Sequence, residues 1–263
     1  MEKYHSREES NPELVVFDVD GTLLPDNPDE ISGRAFWELN EQGIFTSSDE
    51  KLQELSDLRD TYASCPDFER QQYLTPMIIE FDEQMKGRPR KAIQKVAEEC
   101  AEHDVETLLY PELREEIEMW KERGARLGII SGSPDTFIQP IKRRLGFDLA
   151  TGTRHFKDRA VYHSKKGVST RGKEKEKIAK RWRNNIGKEV GAKAVIAAAY
   201  GDTMNDFSLL LDSYEPVAVN PKPDLELEVI KRGYRTIYTA GHLALHGKTN
   251  HSHQHERIVT GSR

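Results

Sequence analysis

The stretch Val15-Val16-Phe17-Asp18-Val19-Asp20-Gly21-Thr22-Leu23-Leu24 places two acids one residue apart, where an apolar run meets a glycine. In a β-strand, alternate side chains point to the same side. The carboxylates of Asp18 and Asp20 are therefore predicted to leave the strand end together and to converge on one substrate atom. Crowded negative charge favours a bound cation, and Mg²⁺ is the usual choice because it accepts hard oxygen ligands and keeps waters.

Short apolar runs recur along the chain, and each ends at turn or helix-capping residues. They lie at 14–17, 126–130, 194–199, 216–219 and 235–238, with helical patterns between them. This alternation is typical of an α/β protein with a doubly wound, mainly parallel sheet flanked by helices. Ligands of such sheets bind outside the carboxyl ends of the strands. The two acids are predicted to lie at such an end.

The chain is predicted to divide into a core and an insertion. Residues 25–104 contain no convincing strand, and apolar residues recur there at helical spacing, which predicts three or four amphipathic helices. We interpret this segment as a helical cap inserted into a catalytic core formed by 12–24 and 105–240. A stacked array of helical repeats is the alternative, but no self-similar period is visible. The ends, 1–11 and 241–263, are predicted to be flexible.

Two smaller features complete this outline of the chain. The stretch 148–166 suggests a small β-hairpin on the core, carried by Thr151, Thr153, Phe156, Val161 and Tyr162. The C-terminal tail is rich in histidine and can bind metals adventitiously, but a disordered, solvated end is the stronger interpretation.

Composition excludes several classes of function. Hydrophobic residues make up 36% of the 263 residues and charged residues 32%, and no apolar stretch approaches the roughly 20 residues that cross a bilayer. The net charge of −6 argues against nucleic acid as a partner, since basic surfaces hold phosphate backbones. The N-terminus does not read as a secretion signal, so the cytoplasm is the predicted location. Cys65 and Cys100 match no metal or redox spacing and are interpreted as packing residues or idle thiols.

A second candidate site lies in Gly128-Ile129-Ile130-Ser131-Gly132-Ser133-Pro134-Asp135, where a strand turns into a helix. Pro134 suits the first helical position and Ser133 the N-cap, which leaves the Ser131 hydroxyl without a capping role. We predict that Ser131 binds a phosphate oxygen, reinforced by the Gly132 amide and the helix N-terminus. Gly21 is likewise predicted to let the backbone approach a bound group closely.

A third candidate is a lysine at the head of the helix after Gly172, where Lys173, Lys175 and Lys177 compete. At about 100° per residue, Lys175 falls within about 20° of Trp182 and starts the inward face. Lys173, if helical, points the opposite way. We therefore choose Lys175, with Lys173 second.

The fourth candidate is Tyr200-Gly201-Asp202-Thr203-Met204-Asn205-Asp206, after an apolar strand. Asp202, at the strand end, is predicted to reach the same metal as Asp18. Asp206, one helical turn on, is predicted to orient the direct ligands. Helix capping explains one of these acids but not both together with the other three sites.

These four pieces resemble the four motifs of the haloacid dehalogenase-like (HAD) phosphatases: DxDGT, a strand-end serine, a helix lysine and GDxxND. Several further stretches resemble the phosphoserine-phosphatase-like subfamily IB, and the likeness extends over about residues 12 to 240. These stretches are Tyr110-Pro111, Ile130 to Pro134, Ala150 to Thr153, Gly172 with Lys175, and Val219-Asn220-Pro221.

The resemblance implies a mechanism. Asp18 would attack phosphorus to form an aspartyl-phosphate, and Asp20 would protonate the leaving oxygen and then activate water. Ser131 and Lys175 would bind the phosphoryl oxygens. Mg²⁺ would be held by the Asp18 carboxylate, the Asp20 backbone carbonyl and Asp202, with Asp206 behind them. The implied partner is a small phosphorylated metabolite.

The chain departs from phosphoserine phosphatases in the predicted cap. Those enzymes hold the amino acid with an acid and an arginine of the cap, but no arginine lies between Arg70 and Arg88, which disfavours phosphoserine. Glu30, Glu80 or Arg88 are candidates to face the substrate instead. Asp20 supplies an acid suited to a leaving alkoxide, which a haloacid dehalogenase does not need. A phosphotransferase or mutase, and an inactive ligand-binding module, remain as alternatives, and the oligomeric state is left open.

Overall fold

The computed structural model describes residues 11–26, 29–65, 69–157, 161–166 and 170–240. Strands in these ranges are Glu13–Phe17 (β1), Arg126–Pro134 (β2), Leu149–Thr153 (β3), His155–Lys157 (β4), Tyr162–Lys166 (β5), Val195–Gly201 (β6), Glu215–Val219 (β7) and Arg235–Ile237 (β8). Helices are Ile31–Glu41 (α1), Asp49–Ser64 (α2), Arg70–Met85 (α3), Arg90–His103 (α4), Pro111–Glu122 (α5), Asp135–Leu145 (α6), Lys173–Val190 (α7), Phe207–Leu211 (α8) and Pro223–Arg232 (α9). A π-helical turn, Asp104–Leu108, follows α4. The histidine-rich tail lies outside the described residues, as do both predicted flexible ends apart from residue 11.

Six strands form one sheet in the order β3-β2-β1-β6-β7-β8, and every neighbouring pair is parallel. The chain builds β2 and β3 on one side of β1, then crosses over and builds β6, β7 and β8 on the other. This confirms the predicted doubly wound α/β fold. The direction of winding reverses between β1 and β6, which is where ligands bind in such sheets.

The central strand β1 is buried on both faces. Val15 and Phe17 join the apolar core that includes residues of α5 and α6, whereas Leu14 and Val16 join the core beneath α7, α8 and α9. Alternate side chains of β1 thus pack on opposite faces of the sheet. Burial on both faces explains why the run before Asp18 is apolar at every position.

The prediction for 148–166 was wrong in part. β3 is not part of a hairpin but the edge strand of the main sheet, parallel to β2. Among the described strands of this stretch, β4 and β5 are the pair that runs antiparallel. The sequence Leu149-Ala150-Thr151-Gly152-Thr153 lacks the apolar signature of a central strand because it lies at an edge. Gly152 is required there, since a Cβ would lie 2.5 Å from the Ser133 carbonyl oxygen.

In its described residues, the segment predicted to be helical contains four helices, α1 to α4. Leu55 of α2 is fully buried, and so are the four apolar residues of α3 that share helical spacing, Tyr73, Met77, Phe81 and Met85. The last helix, α4, lies against α6 of the sheet layer, where Arg144 pairs with Glu102 at 2.8 Å. The division of the chain into core and cap stays a prediction. Across the described ranges, no helix has the length and apolar character of a membrane span.

Candidate active site

Asp18 and Asp20 lie at the carboxyl end of β1. The Asp18 backbone N–H donates to the Tyr200 carbonyl of β6 at 3.0 Å, which continues the pairing of the two central strands beyond β1. The Val19 carbonyl then accepts backbone hydrogen bonds from residues 22 to 24 and closes a tight turn. Both carboxylates are buried, each residue being 8% exposed. The fold therefore brings the two acids to the reversal point of the sheet.

Asp202 follows β6 and packs against the turn at Gly21. Gly21 has φ +81°, and a Cβ at this position would lie 2.1 Å from Asp202 Oδ2. Glycine is thus required both for the backbone conformation and for the approach of the carboxylate. From the sequence, Gly21 was predicted to let the backbone approach a bound group closely. In the structure, the group next to Gly21 is the side chain of Asp202. Asp202 is 1% exposed.

Lys175 lies on the inward face of α7 and joins two of the acids. Its Nζ lies 2.7 Å from Asp18 Oδ2 and 2.5 Å from Asp206 Oδ1, and the residue is 2% exposed. Asp206 Oδ2 accepts from the backbone N–H of Thr203 at 3.1 Å, so both of its oxygens are engaged. Lys173, two residues earlier, is exposed. The lysine next to Asp18 is therefore Lys175, the one that helix periodicity favours.

Acidic charge exceeds basic charge in this cluster. Asp18, Asp202 and Asp206 each offer one carboxylate oxygen, and these three oxygens lie within 4.8 Å of one another. Burial raises the pKa of Asp202 well above its usual range, and the neighbouring Asp26, Asp206 and Asp18 raise it further. Burial opposes the charged form of Lys175, but Asp18 and Asp206 outweigh that effect and raise its pKa. One lysine thus faces three carboxylates.

The donor set fits a divalent cation. Two buried oxygens, Asp18 Oδ1 and Asp202 Oδ2, have no hydrogen-bond partner among the described residues. Buried polar atoms normally form hydrogen bonds, so two buried carboxylate oxygens without a hydrogen-bond partner indicate a site for an ion. Hard oxygen donors are the ligands that Mg²⁺ prefers. The Asp206 oxygens are already hydrogen-bonded, which suits a position behind the direct ligands.

The Asp20 carboxylate is held by its own set of donors. Its Oδ1 accepts the backbone N–H of Ile31, the first residue of α1, at 2.7 Å. Its Oδ2 accepts the Ser133 hydroxyl at 2.7 Å and lies 3.4 Å from the Ser131 hydroxyl. The side chain of Asp20 is therefore not part of the acidic cluster, and a metal contact through its backbone carbonyl stays a prediction.

The predicted capping role of Ser133 was wrong. β2 runs through Pro134, α6 begins at Asp135, and no side chain caps that helix. Because the strand is extended at this point, the hydroxyls of Ser131 and Ser133 point to the same side, towards Asp20. Ser131 also accepts the Ser133 backbone N–H at 3.0 Å. The spacing of the two serines was the signal that could have identified Ser133 as a site residue.

A pocket opens over the acids between the sheet edge and the helices that follow β1. Its lining combines strand-end residues with residues of the predicted cap, and it includes Gly132 and Arg171. The residues of the predicted cap that line it are Glu30, Gln71, Leu74 and Ile78, and Thr203 and Asn205 also line it.

Of the three residues proposed from the sequence to face the substrate, Glu30 lines the pocket and the other two do not. Glu80 accepts a hydrogen bond from Ser47 at 2.8 Å, and Arg88 donates to Thr46 at 2.8 Å. Neither lines the pocket over the acids.

Comparison with known proteins places this geometry in a family. The chain matches the family model for haloacid dehalogenase-like hydrolases over residues 15–211. Protein CicA of Caulobacter vibrioides is 34% identical over 128 residues, which cover 48% of this chain and 54% of that protein. The aligned region thus spans about half the length of the curated relatives it matches.

Solved structures share the fold at low identity. A protein of unknown function from Bordetella pertussis Tohama I superposes with a TM-score of 0.67 at 20% identity, covering 87% of this chain and 99% of that chain. A substrate-bound phosphoserine phosphatase gives a TM-score of 0.54 at 20% identity, with 85% and 99% covered. A HAD family hydrolase from Salmonella enterica serovar Typhi gives 0.53 at 19% identity, with 90% and 72% covered.

At these identities the solved structures establish the fold, and the family model establishes the kinship. The matched range starts within β1 and ends with α8, so it includes Asp18, the strand-end serine, Lys175 and Asp202. The resemblance predicted from the four motifs is confirmed, and the chain belongs to the haloacid dehalogenase-like hydrolase family.

Proposed function

We propose that the protein is a phosphatase that hydrolyses a small phosphomonoester with Mg²⁺ through an aspartyl-phosphate on Asp18. The contact between Lys175 Nζ and Asp18 Oδ2 at 2.7 Å carries this proposal. It lies beside the unpaired oxygens of Asp18 and Asp202, so a nucleophile, a cation for the phosphoryl charge and a set of metal donors meet at one point.

In the first half of the reaction, an Asp18 carboxylate oxygen attacks phosphorus and the ester P–O bond breaks. Asp20 donates its proton to the leaving oxygen, so the product departs as a neutral alcohol. The hydrogen bonds from Ile31 and Ser133 orient the Asp20 carboxyl for this transfer.

In the second half, water attacks the phosphorus of the aspartyl-phosphate. Asp20, now ionised, takes a proton from that water. The bond between phosphorus and Asp18 breaks, inorganic phosphate leaves, and both acids return to their starting protonation states.

The remaining site residues offset the charge of the phosphoryl group. Lys175 supplies one positive charge, and Ser131 and the backbone at Gly132 supply hydrogen-bond donors. Asp18 and Asp202, with Asp206 behind them, would hold Mg²⁺. The bound ion supplies charge neutralisation and orientation of the phosphoryl oxygens.

Binding of Mg²⁺ is expected to stabilise the folded protein, because the ion relieves repulsion among buried carboxylates. At about 100 times its dissociation constant, Mg²⁺ should raise the thermal unfolding temperature by roughly 5 to 10 °C. The measurement is thermal unfolding of the full chain with Mg²⁺ and with EDTA.

Two variants test whether this stabilisation comes from the acidic cluster. Asp202→Asn should lose it, whereas Asp224→Asn, which neutralises an exposed acid of α9, should keep it. Equal stabilisation of Asp202→Asn and the unchanged protein would contradict the proposed metal site.

Phosphate release from p-nitrophenyl phosphate and from a panel of phosphorylated metabolites tests the proposed function. We expect release that depends on Mg²⁺ and stops on its removal with EDTA. The same reactions with added alcohols measure transfer, because a transferase shares the aspartyl-phosphate step and differs only in the acceptor. Transfer in excess of hydrolysis would favour a transferase, and absence of turnover across the panel would favour a binding module.

A further inference from the structure

Arg171 lies at the mouth of the candidate active site and is absent from the four sequence motifs. It precedes Gly172 and α7, and its exposed side chain lines the same pocket as Asp18 and Lys175. It also borders a crevice of about 10 Å³, lined by His155 and Asp82 among others, which is too small to hold a substrate group. Arg171 thus lies where the pocket over the acids meets solvent.

The segment that carries Arg171 is tied to the strand-end turn. Thr170 is 2% exposed, and its hydroxyl donates to the Ser131 carbonyl. A Cβ at Gly132 would lie 2.9 Å from Arg171 Nε, so the glycine leaves room for the arginine side chain in this position. Thr153 fixes the same turn by donating to the Gly132 carbonyl at 2.6 Å. These contacts hold the backbone on either side of the pocket, and the Arg171 side chain lies beside Gly132.

The charge of Arg171 is not compensated within the described part of the chain. No carboxylate in those ranges forms an ion pair with it, whereas Lys175 pairs with both Asp18 and Asp206. A guanidinium stays charged, and its planar fork matches the oxygens of a carboxylate or a phosphate. An arginine held at a pocket mouth without an acid to pair with is suited to an anionic ligand.

We infer that Arg171 binds a second anionic group of the substrate, a carboxylate or a further phosphate, carried on the leaving group. This inference rests on the proposed phosphatase function and narrows its substrate class. Lys175 is buried against Asp18 and serves the phosphoryl group that is transferred. Arg171 lines the same pocket but is exposed to solvent, so it is placed to contact a group of the substrate that lies further from Asp18.

Matched substrate pairs test this inference. The first pair is 3-phosphoglycerate and glycerol 3-phosphate, which differ in a carboxylate. The second pair is propane-1,3-diol bisphosphate and its monophosphate, which differ in a phosphate. In at least one pair, we expect kcat/KM to be about 10-fold or more higher for the member that carries the second anionic group. A factor of this size is the range of a charge-assisted hydrogen bond. The favoured pair identifies the anion.

Arg171→Gln should reduce that preference about 10-fold, mainly by raising KM for the member that carries the second anionic group. Arg181→Gln makes the same change in net charge at an exposed position of α7 and should keep the preference. The inference is overturned if the unchanged protein has equal kcat/KM for the two members of each pair. It is also overturned if Arg171→Gln lowers kcat/KM equally for both members of a pair. Complete lack of turnover on all four substrates and on p-nitrophenyl phosphate would instead contradict the proposed phosphatase function.

Discussion

Replacing Asp18 with asparagine is expected to abolish phosphate release while leaving the fold intact. In the proposed reaction Asp18 forms the covalent bond to phosphorus, and an amide is a poor nucleophile. Loss of a nucleophile in covalent catalysis lowers kcat on the order of 10⁴- to 10⁶-fold. Asparagine has almost the same shape as aspartate, so the packing at the end of β1 is kept. The measurement is single-turnover and steady-state phosphate release with Mg²⁺ at saturating substrate.

The unfolding behaviour of the same variant separates lost chemistry from lost structure. Burial raises the pKa of Asp18 to about 7, against the opposing effect of Lys175 and with a further increase from Asp206. In metal-free protein the native state therefore binds more protons than the unfolded state between about pH 4 and pH 7. Stability falls as pH rises through this window. In Asp18→Asn, the free energy of unfolding should fall less steeply as the pH rises through this window. Retained phosphate release in a folded Asp18→Asn protein would contradict the covalent mechanism.

The central part of the fold is predictable because its signals are local. Burial on both faces makes β1 and β6 continuously apolar, so their positions can be read from the sequence to within one or two residues. The Asp-x-Asp-Gly stretch and the Gly-Asp stretch directly follow those strands, and parallel pairing brings such ends to one edge. Helix periodicity likewise separates Lys175 from Lys173, because a difference of two residues moves a side chain to the opposite face.

Other features depend on contacts that no local pattern encodes. β3 reads as polar because it is an edge strand, and its pairing with β2 is set by the sheet as a whole. The role of Ser133 depends on the distance between β2 and Asp20, which exists only once β1 and β2 are paired. Arg171 is an ordinary basic residue in a basic stretch until the contact with Gly132 places it over the pocket.

Replacing Lys175 with methionine is expected to produce the second largest loss of activity. Its ammonium lies within 2.7 Å of Asp18 and is the one buried cation in contact with the acidic cluster in the described part of the chain. Removing one preorganised charge-stabilising donor typically lowers kcat on the order of 10²- to 10³-fold. Methionine fills a similar volume, so the loss should come from charge and not from a cavity. The measurement is kcat and KM for phosphate release with saturating Mg²⁺.

Lys173→Met is the matched control, because it removes the same charge from the same helix at an exposed position. Its kcat should stay within about twofold of the unchanged protein, as is usual for exposed substitutions away from a site. Lys175→Met should also unfold at a lower temperature, since removing one partner of a buried ion pair leaves Asp18 and Asp206 uncompensated. If the two variants lose activity equally, then the effect is one of overall charge, and the direct role of Lys175 at the phosphoryl group is refuted. Loss confined to Lys175→Met would tie catalysis to the inward face of α7.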